Sequence, residues 1–169
     1  LQQLTHEGLL SFVPGKGTVV ASFTTEDILE VYDLIELLQT YAVSACINKS
    51  NALTVNALEV ALENMKKSLD NGDIYHCTRW DQKFHELLVS YSGNKRLETI
   101  YEQLDCQQML FISTILDDME RAQNSYKEHS AILDAIKAKD SESAHDCIRQ
   151  HYYHIKQYYI NKLLSRIHI

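Results

Sequence analysis

Proline occurs once among the 169 residues and glycine five times. Proline breaks helices and glycine softens them, so their scarcity excludes a loop-rich or all-β design and favours long helices with short joins. No apolar run is long enough to span a membrane, and no segment reads as a signal peptide. The four cysteines, Cys46, Cys77, Cys106 and Cys147, are widely spaced and form no CxxC pair. That usage excludes a disulfide frame and fits reduced, mostly buried thiols in the cytoplasm. Positive charge is also in short supply, with 16 Lys and Arg against 23 Asp and Glu and a formal net charge of −7. An acidic chain is a poor nucleic-acid ligand unless its basic residues cluster. Apolar residues are plentiful at 45%, enough to fill a core.

The first 23 residues differ from the rest. Leu1, Leu4, Glu7 and Gly8 read as the end of a helix, with Gly8 at its C-cap. Leu9–Val13 and Thr18–Ser22 are β-prone runs around the turn Pro14-Gly15-Lys16-Gly17, which predicts a two-stranded hairpin. Such a hairpin is too small to be stable alone. From Thr24 or Thr25, a helix N-cap, only helical periodicity remains. The expected helices carry Ile28 to Ala45; Leu58 to Leu69, stopping at Asn71-Gly72; Cys77 to Leu88, starting near Asp73 and stopping at Ser92-Gly93-Asn94; and Leu97 to Ile115, running from about Lys95 to Arg121. A fifth carries Tyr126 to Ile136. A sixth starts near Ser141, with the capping pattern Ser141-x-x-Ala144, and runs through Leu163. The fold class is all-α: an antiparallel bundle of about six helices preceded by a small β-hairpin. The expected domains are 1–23 and 24–169.

Three of the eight histidines fall on expected core faces. Asp81 and His85, four apart on the third helix, share a face with Cys77, Phe84 and Leu88. His129 is in register with Ile132, Leu133 and Ile136, and His151 with Cys147, Ile148 and Ile155. A buried carboxylate needs a charge partner or a metal, and three neutral imidazoles with one carboxylate suit a divalent transition ion. Asp81 has simpler alternatives in Arg79, Arg149 or a protonated His85, and His154 stands three residues from His151 as a rival ligand. Zinc or nickel is the first expectation, manganese or iron the next. Arg121, Asn124 and Tyr126 closely precede His129 and are candidates to contact a small ligand beside the ion.

Several segments together carry a resemblance. They are Leu1-x-x-Leu4-x-x-Glu7-Gly8-Leu9; the turn Pro14-Gly15-Lys16-Gly17-Thr18-x-Val20; Asp81-x-x-Phe84-His85; Ser92-Gly93-Asn94; Glu128-His129-x-x-Ile132-x-x-Ala135-Ile136; and the helix containing His151. In this order and spacing they resemble the FadR-type branch of the GntR transcription regulators over nearly the whole chain. The resemblance implies that residues 1–23 are the end and wing of a winged helix-turn-helix, most of which lies upstream. Lys16 is then its surviving DNA contact. The rest is implied to be the all-helical effector-binding and dimerisation domain, the FCD domain, with its metal held by Asp81, His85, His129 and His151 and a small organic acid at or beside the ion. Departures from the family are Ile35 and Gln39, where an Arg and a Glu are common, and Gln107 and Gln108, where basic residues are common.

The leading expectation is a cytoplasmic, ligand-responsive transcription regulator, not an enzyme, whose acid effector repositions the DNA-binding halves of a homodimer on operator DNA. Exposed apolar positions on the first and fourth helices, such as Ile47, Phe111 and Ile112, are candidates for the dimer contact. The rival is a metal-dependent enzyme with a three-His, one-Asp site, although no separate general base is recognisable. A third reading is a helical scaffold with coincidental histidines.

Overall fold

The computed structural model describes residue 5 and residues 8–49, 51–113 and 118–167. A short antiparallel hairpin of β1 (Leu10–Val13) and β2 (Gly17–Val20) precedes six helices: α1 (Thr25–Lys49), α2 (Ala52–Asp70), α3 (Ile74–Tyr91), α4 (Lys95–Ser113), α5 (Met119–Ala138) and α6 (Ser141–Ile167). The helix end expected over Leu1, Leu4 and Glu7, and the side chains of Ile112, Ile115 and Leu163, lie outside the described residues.

In the hairpin Leu10 pairs with Val20 and Val13 with Gly17. Gly15 and Gly17 take φ of 82° and 81°, the left-handed region that a side chain disfavours, so the turn needs them. Phe23 then stacks edge-on against Phe111 of α4 at 4.7 Å, fastening the hairpin's exit to the bundle.

Side chains specify most helix starts. Thr24 Oγ1 accepts the Asp27 N–H while Asp27 accepts the Thr24 N–H, a reciprocal cap for α1. Asn51, Asp73 and Asp118 cap α2, α3 and α5 by accepting first-turn N–H groups. The α6 cap is Asp140, whose carboxylate accepts the Ser143 N–H at 3.0 Å. The expected Ser141-x-x-Ala144 pattern is therefore displaced by one residue, because an aspartate outcompetes serine for that role and Ala144 goes to the core.

One expected boundary is wrong. The fourth helix does not reach Arg121: α4 is described to Ser113, Asp118 has an extended backbone, and Arg121 lies in the first turn of α5. The sequence between them has neither Gly nor Pro, and its apolar residues keep a helical spacing, so periodicity ran through the break. The signal that counts is Asp118, which accepts the Arg121 N–H at 3.0 Å.

α1 packs against α3, α4 and α6, and α2 against α3 and α5, so their inner faces share one core. Ile35, Leu58, Phe84, Leu88, Ile132, Ile136 and Ile148 are fully buried there. Trp80, the one tryptophan in the chain, is half-buried on α3 against this core. Among the described residues no helix is long and apolar enough to cross a membrane.

Candidate metal centre and its neighbouring cavity

The core narrows to a histidine cluster between α3, α5 and α6. His85, His129 and His151 are 2%, 0% and 1% exposed. His85 Nε2 lies 2.8 Å from His129 Nε2 and 3.2 Å from His151 Nε2. These three residues form a group whose ligand atoms all lie within 4.8 Å of one another. Each helix contributes its imidazole from the stripe that also supplies its core apolar residues, so burying the stripe brings the rings together.

The outward nitrogens explain the ring orientations. His129 Nδ1 donates to the Ser125 carbonyl at 2.7 Å, and His151 Nδ1 donates to Glu128 Oε2 at 2.7 Å. A neutral imidazole carries one proton, so both rings turn unprotonated Nε2 atoms towards His85. A proton on His85 Nε2 serves one of these neighbours at a time, and the other lone pair stays unmatched. A cation at the convergence point satisfies all three nitrogens, so the donor set fits a metal of the kind imidazole favours. Burial, reinforced by His129 and His151, pushes the His85 imidazole well below its ordinary value. Burial also lowers His129, to about 4, against the opposing pull of Asp81. Both rings are thus neutral, the form in which they can ligate.

Asp81 stands beside this cluster. Its Oδ1 accepts the Ser125 hydroxyl at 2.5 Å and lies 3.5 Å from His129 Nδ1, the nitrogen facing away from the other two rings. Neither Arg79 nor Arg149 is its partner: they bond Gln82 and Asp146. Exposed His154 meets Glu128 rather than the cluster.

Glu128 escaped the sequence reading. Its carboxylate takes both Arg121 nitrogens at 3.1 and 3.0 Å as well as His151 and His154. Burial opposes its charge, but the bonds from His151 and Arg121 outweigh that and hold its carboxyl at about 2. Its place directly before His129 was the available signal. Gln39, buried on α1, donates to the His85 carbonyl at 3.3 Å and so braces the α3 backbone behind that ligand.

A cavity of about 650 Å³, measured out to its open mouth, adjoins the cluster through Asp81 and Ser125. Arg121 and Tyr158 line it, as do Gln108 and Asp118, which the sequence reading did not single out for this role. Asn124 and Tyr126 do not line it: Asn124 is exposed, and Tyr126 packs against the core. The lining face of α5 is Arg121, Ala122 and Ser125, and closeness to His129 in sequence does not by itself place a residue on that face. Lys16 is exposed in the hairpin turn.

The family model described as the FCD domain matches residues 30–154. The chain is 30% identical over 157 residues to the HTH-type transcriptional regulator YdhC of Bacillus subtilis (strain 168), across 91% of this chain and 69% of that one. It is 25% identical over 165 residues to the HTH-type transcriptional repressor GlaR of Escherichia coli (strain K12), across 89% and 72%. Its fold matches E. coli McbR/YncC with a TM-score of 0.82, covering 98% of this chain and 81% of that one at 18% identity. These kinships are with transcription regulators, not with enzymes. The chain belongs to the GntR family of transcription regulators, in the branch that carries the FCD domain.

Proposed function

We propose that residues 24–169 are the sensing domain of a ligand-responsive transcription regulator, and that residues 1–23 are the end and wing of its winged helix-turn-helix. A divalent ion, zinc or nickel first, is held by His85, His129 and His151, with Asp81 beside them as the fourth candidate. The observation that carries this is the convergence of three buried Nε2 atoms, two of which are fixed as lone-pair donors by partners on their far side.

A small organic acid occupies the adjoining cavity. The ion supplies the positive charge that makes burying an anion tolerable, because Arg121 already faces Glu128. The acid shifts the balance between arrangements of α3, α5 and α6 by no more than its differential affinity for them, and operator binding follows.

The regulator works as a homodimer. Ile47 and Phe111 do not supply the contact, since both are buried in the core at 4% and 3% exposure. Among the described residues, Leu34, Leu37 and Tyr41 on α1 and Ile100 on α4 are the large apolar side chains exposed there, and a shallow groove runs between Leu34, Leu37 and Ile100.

Elemental analysis of the purified, unchelated chain tests the centre. About one ion per chain is expected, and loss of that ion in a His129→Ala variant. An absence of stoichiometric metal, with no thermal response to added zinc or nickel, would overturn it.

A further inference from the structure

His129 and His151 each give an Nδ1 proton to a partner on the far side, which leaves Nε2 free to face inward. His85 has the same need. For its Nε2 to offer a lone pair, its one proton must sit on Nδ1, and a buried N–H without an acceptor is costly. The hydroxyl oxygen of Tyr152 lies 3.5 Å from that Nδ1.

The fold delivers this hydroxyl to one place. Tyr152 follows His151 on α6, and consecutive helical residues point about 100° apart. Both are nevertheless 1% exposed, because α6 packs against α5 on one side and α1 on the other. The Tyr152 ring lies 6.3 Å from that of Tyr32 on α1 and 5.7 Å from that of His85 on α3. A ring held on both sides aims its oxygen without spending side-chain freedom. A hydroxyl oxygen accepts through its lone pairs whichever way its own O–H points.

We infer that Tyr152 is a positioning residue of the histidine cluster: its hydroxyl accepts the Nδ1 proton of His85 and so fixes that ring with Nε2 turned inward. This rests on the metal-centre reading, and adds the outer partner of the third ring. Tyr152 is not itself a ligand. Through it α6 supplies one imidazole and orients another, so two helices are set by one pair of adjacent residues. Without the oxygen, His85 is free to carry its proton on either nitrogen, and only one of those forms ligates through Nε2. A ring that serves packing alone would not miss its hydroxyl.

Tyr152→Phe removes the oxygen and keeps the ring. By chelator competition its zinc affinity is expected to fall about tenfold, the low end for the outer partner of a ligating histidine, since a bond of 3.5 Å is long. The Tm of the chelator-treated variant is expected to match wild type, which separates lost orientation from a damaged fold. A second measurement needs no variant: nitrogen–proton correlation spectra of isotope-labelled histidines in the zinc-loaded wild type are expected to show His85 protonated on Nδ1. In Tyr152→Phe that proton's signal should move upfield while those of His129 and His151 stay in place. A wild-type His85 protonated on Nε2 would overturn the assignment, and so would a phenylalanine variant that binds zinc as tightly as wild type. If the wild type takes up no zinc, the metal-centre reading fails and this inference falls with it. If both chains take up zinc equally, only the role of Tyr152 falls.

Discussion

Arg121 and Glu128 stand seven residues apart on α5 and meet through two parallel hydrogen bonds of 3.1 and 3.0 Å. The same carboxylate takes the Nδ1 proton of His151, so one side chain joins the wall of the cavity to the histidine cluster. Removing an outer partner of a ligating histidine typically costs metal affinity 10–100-fold. Glu128→Ala is expected to weaken zinc binding by roughly that factor. Glu128→Gln, which keeps an acceptor for His151, should lose less. Chelator-competition titrations measure both, and wild-type affinity in the alanine variant would show that His151 needs no orienting partner.

Zinc should raise thermal stability. An ion that binds only the folded chain contributes about 2.7 kcal/mol at a free concentration 100 times its dissociation constant, or a Tm shift of roughly 5–10 °C for a chain of this size. Excess chelator should reverse the shift, and His85→Ala or His129→Ala should abolish it. Differential scanning fluorimetry reads the outcome; an equal shift in the variants would place the ion elsewhere.

Asp105 predicts a pH dependence of stability away from the histidines. It is 9% exposed and accepts from Gln82 at 2.7 Å. Burial raises its carboxyl from 3.8 to about 6, against the hydrogen bonds from Gln82 and Tyr101 and with help from the charge of Glu86. The folded chain thus holds this proton more tightly than the unfolded one. Its contribution favours folding fully below the ordinary value and is lost as pH rises through about 6; the change is on the order of 3 kcal/mol. Asp105→Asn should flatten the stability profile across that interval. It should also be roughly 1 kcal/mol more stable near pH 7.5, a gain reduced by the acceptor that Tyr101 loses. Urea unfolding at several pH values decides it, and an unchanged slope would show that Asp105 is ionised throughout.

How much of this the sequence disclosed depends on the kind of signal. The six helices and the core faces of His85, His129 and His151 follow from a 3.6-residue period that burial enforces, and each of these rings is buried as its register requires. The break before α5 was hidden because a single capping aspartate, Asp118, defines it within a run of apolar spacing. Glu128 and Gln108 were hidden for another reason. Their roles depend on which neighbouring helix lies opposite, and periodicity within one helix carries no such information. The i, i+4 relation to His85 puts Asp81 on the same face of α3; its contacts with Ser125 and the far nitrogen of His129 depend on α5 and are not visible in that spacing.

The exposed strip on α1 and α4 gives a test of assembly. Leu37 is 68% exposed and Ile100 50% exposed. Charging a solvent-exposed position away from caps and core usually changes monomer stability by less than about 0.5 kcal/mol, whereas a charge buried in a two-fold interface appears twice. Leu37→Glu is expected to shift sedimentation from dimer to monomer at micromolar concentrations with an unchanged circular dichroism spectrum. A variant that stays dimeric would move the interface to another face.

Trp80 adjoins Asp81 on α3, whose inner face supplies His85, and it is the only indole in the chain. Its emission therefore belongs to one known place, without labels or engineered probes. Light absorbed by the ten tyrosines, several of them gathered around Tyr32, can pass to that single acceptor. The wavelength and yield of this one emitter give an optical record of how α3 sits against its neighbours as ions and acids come and go.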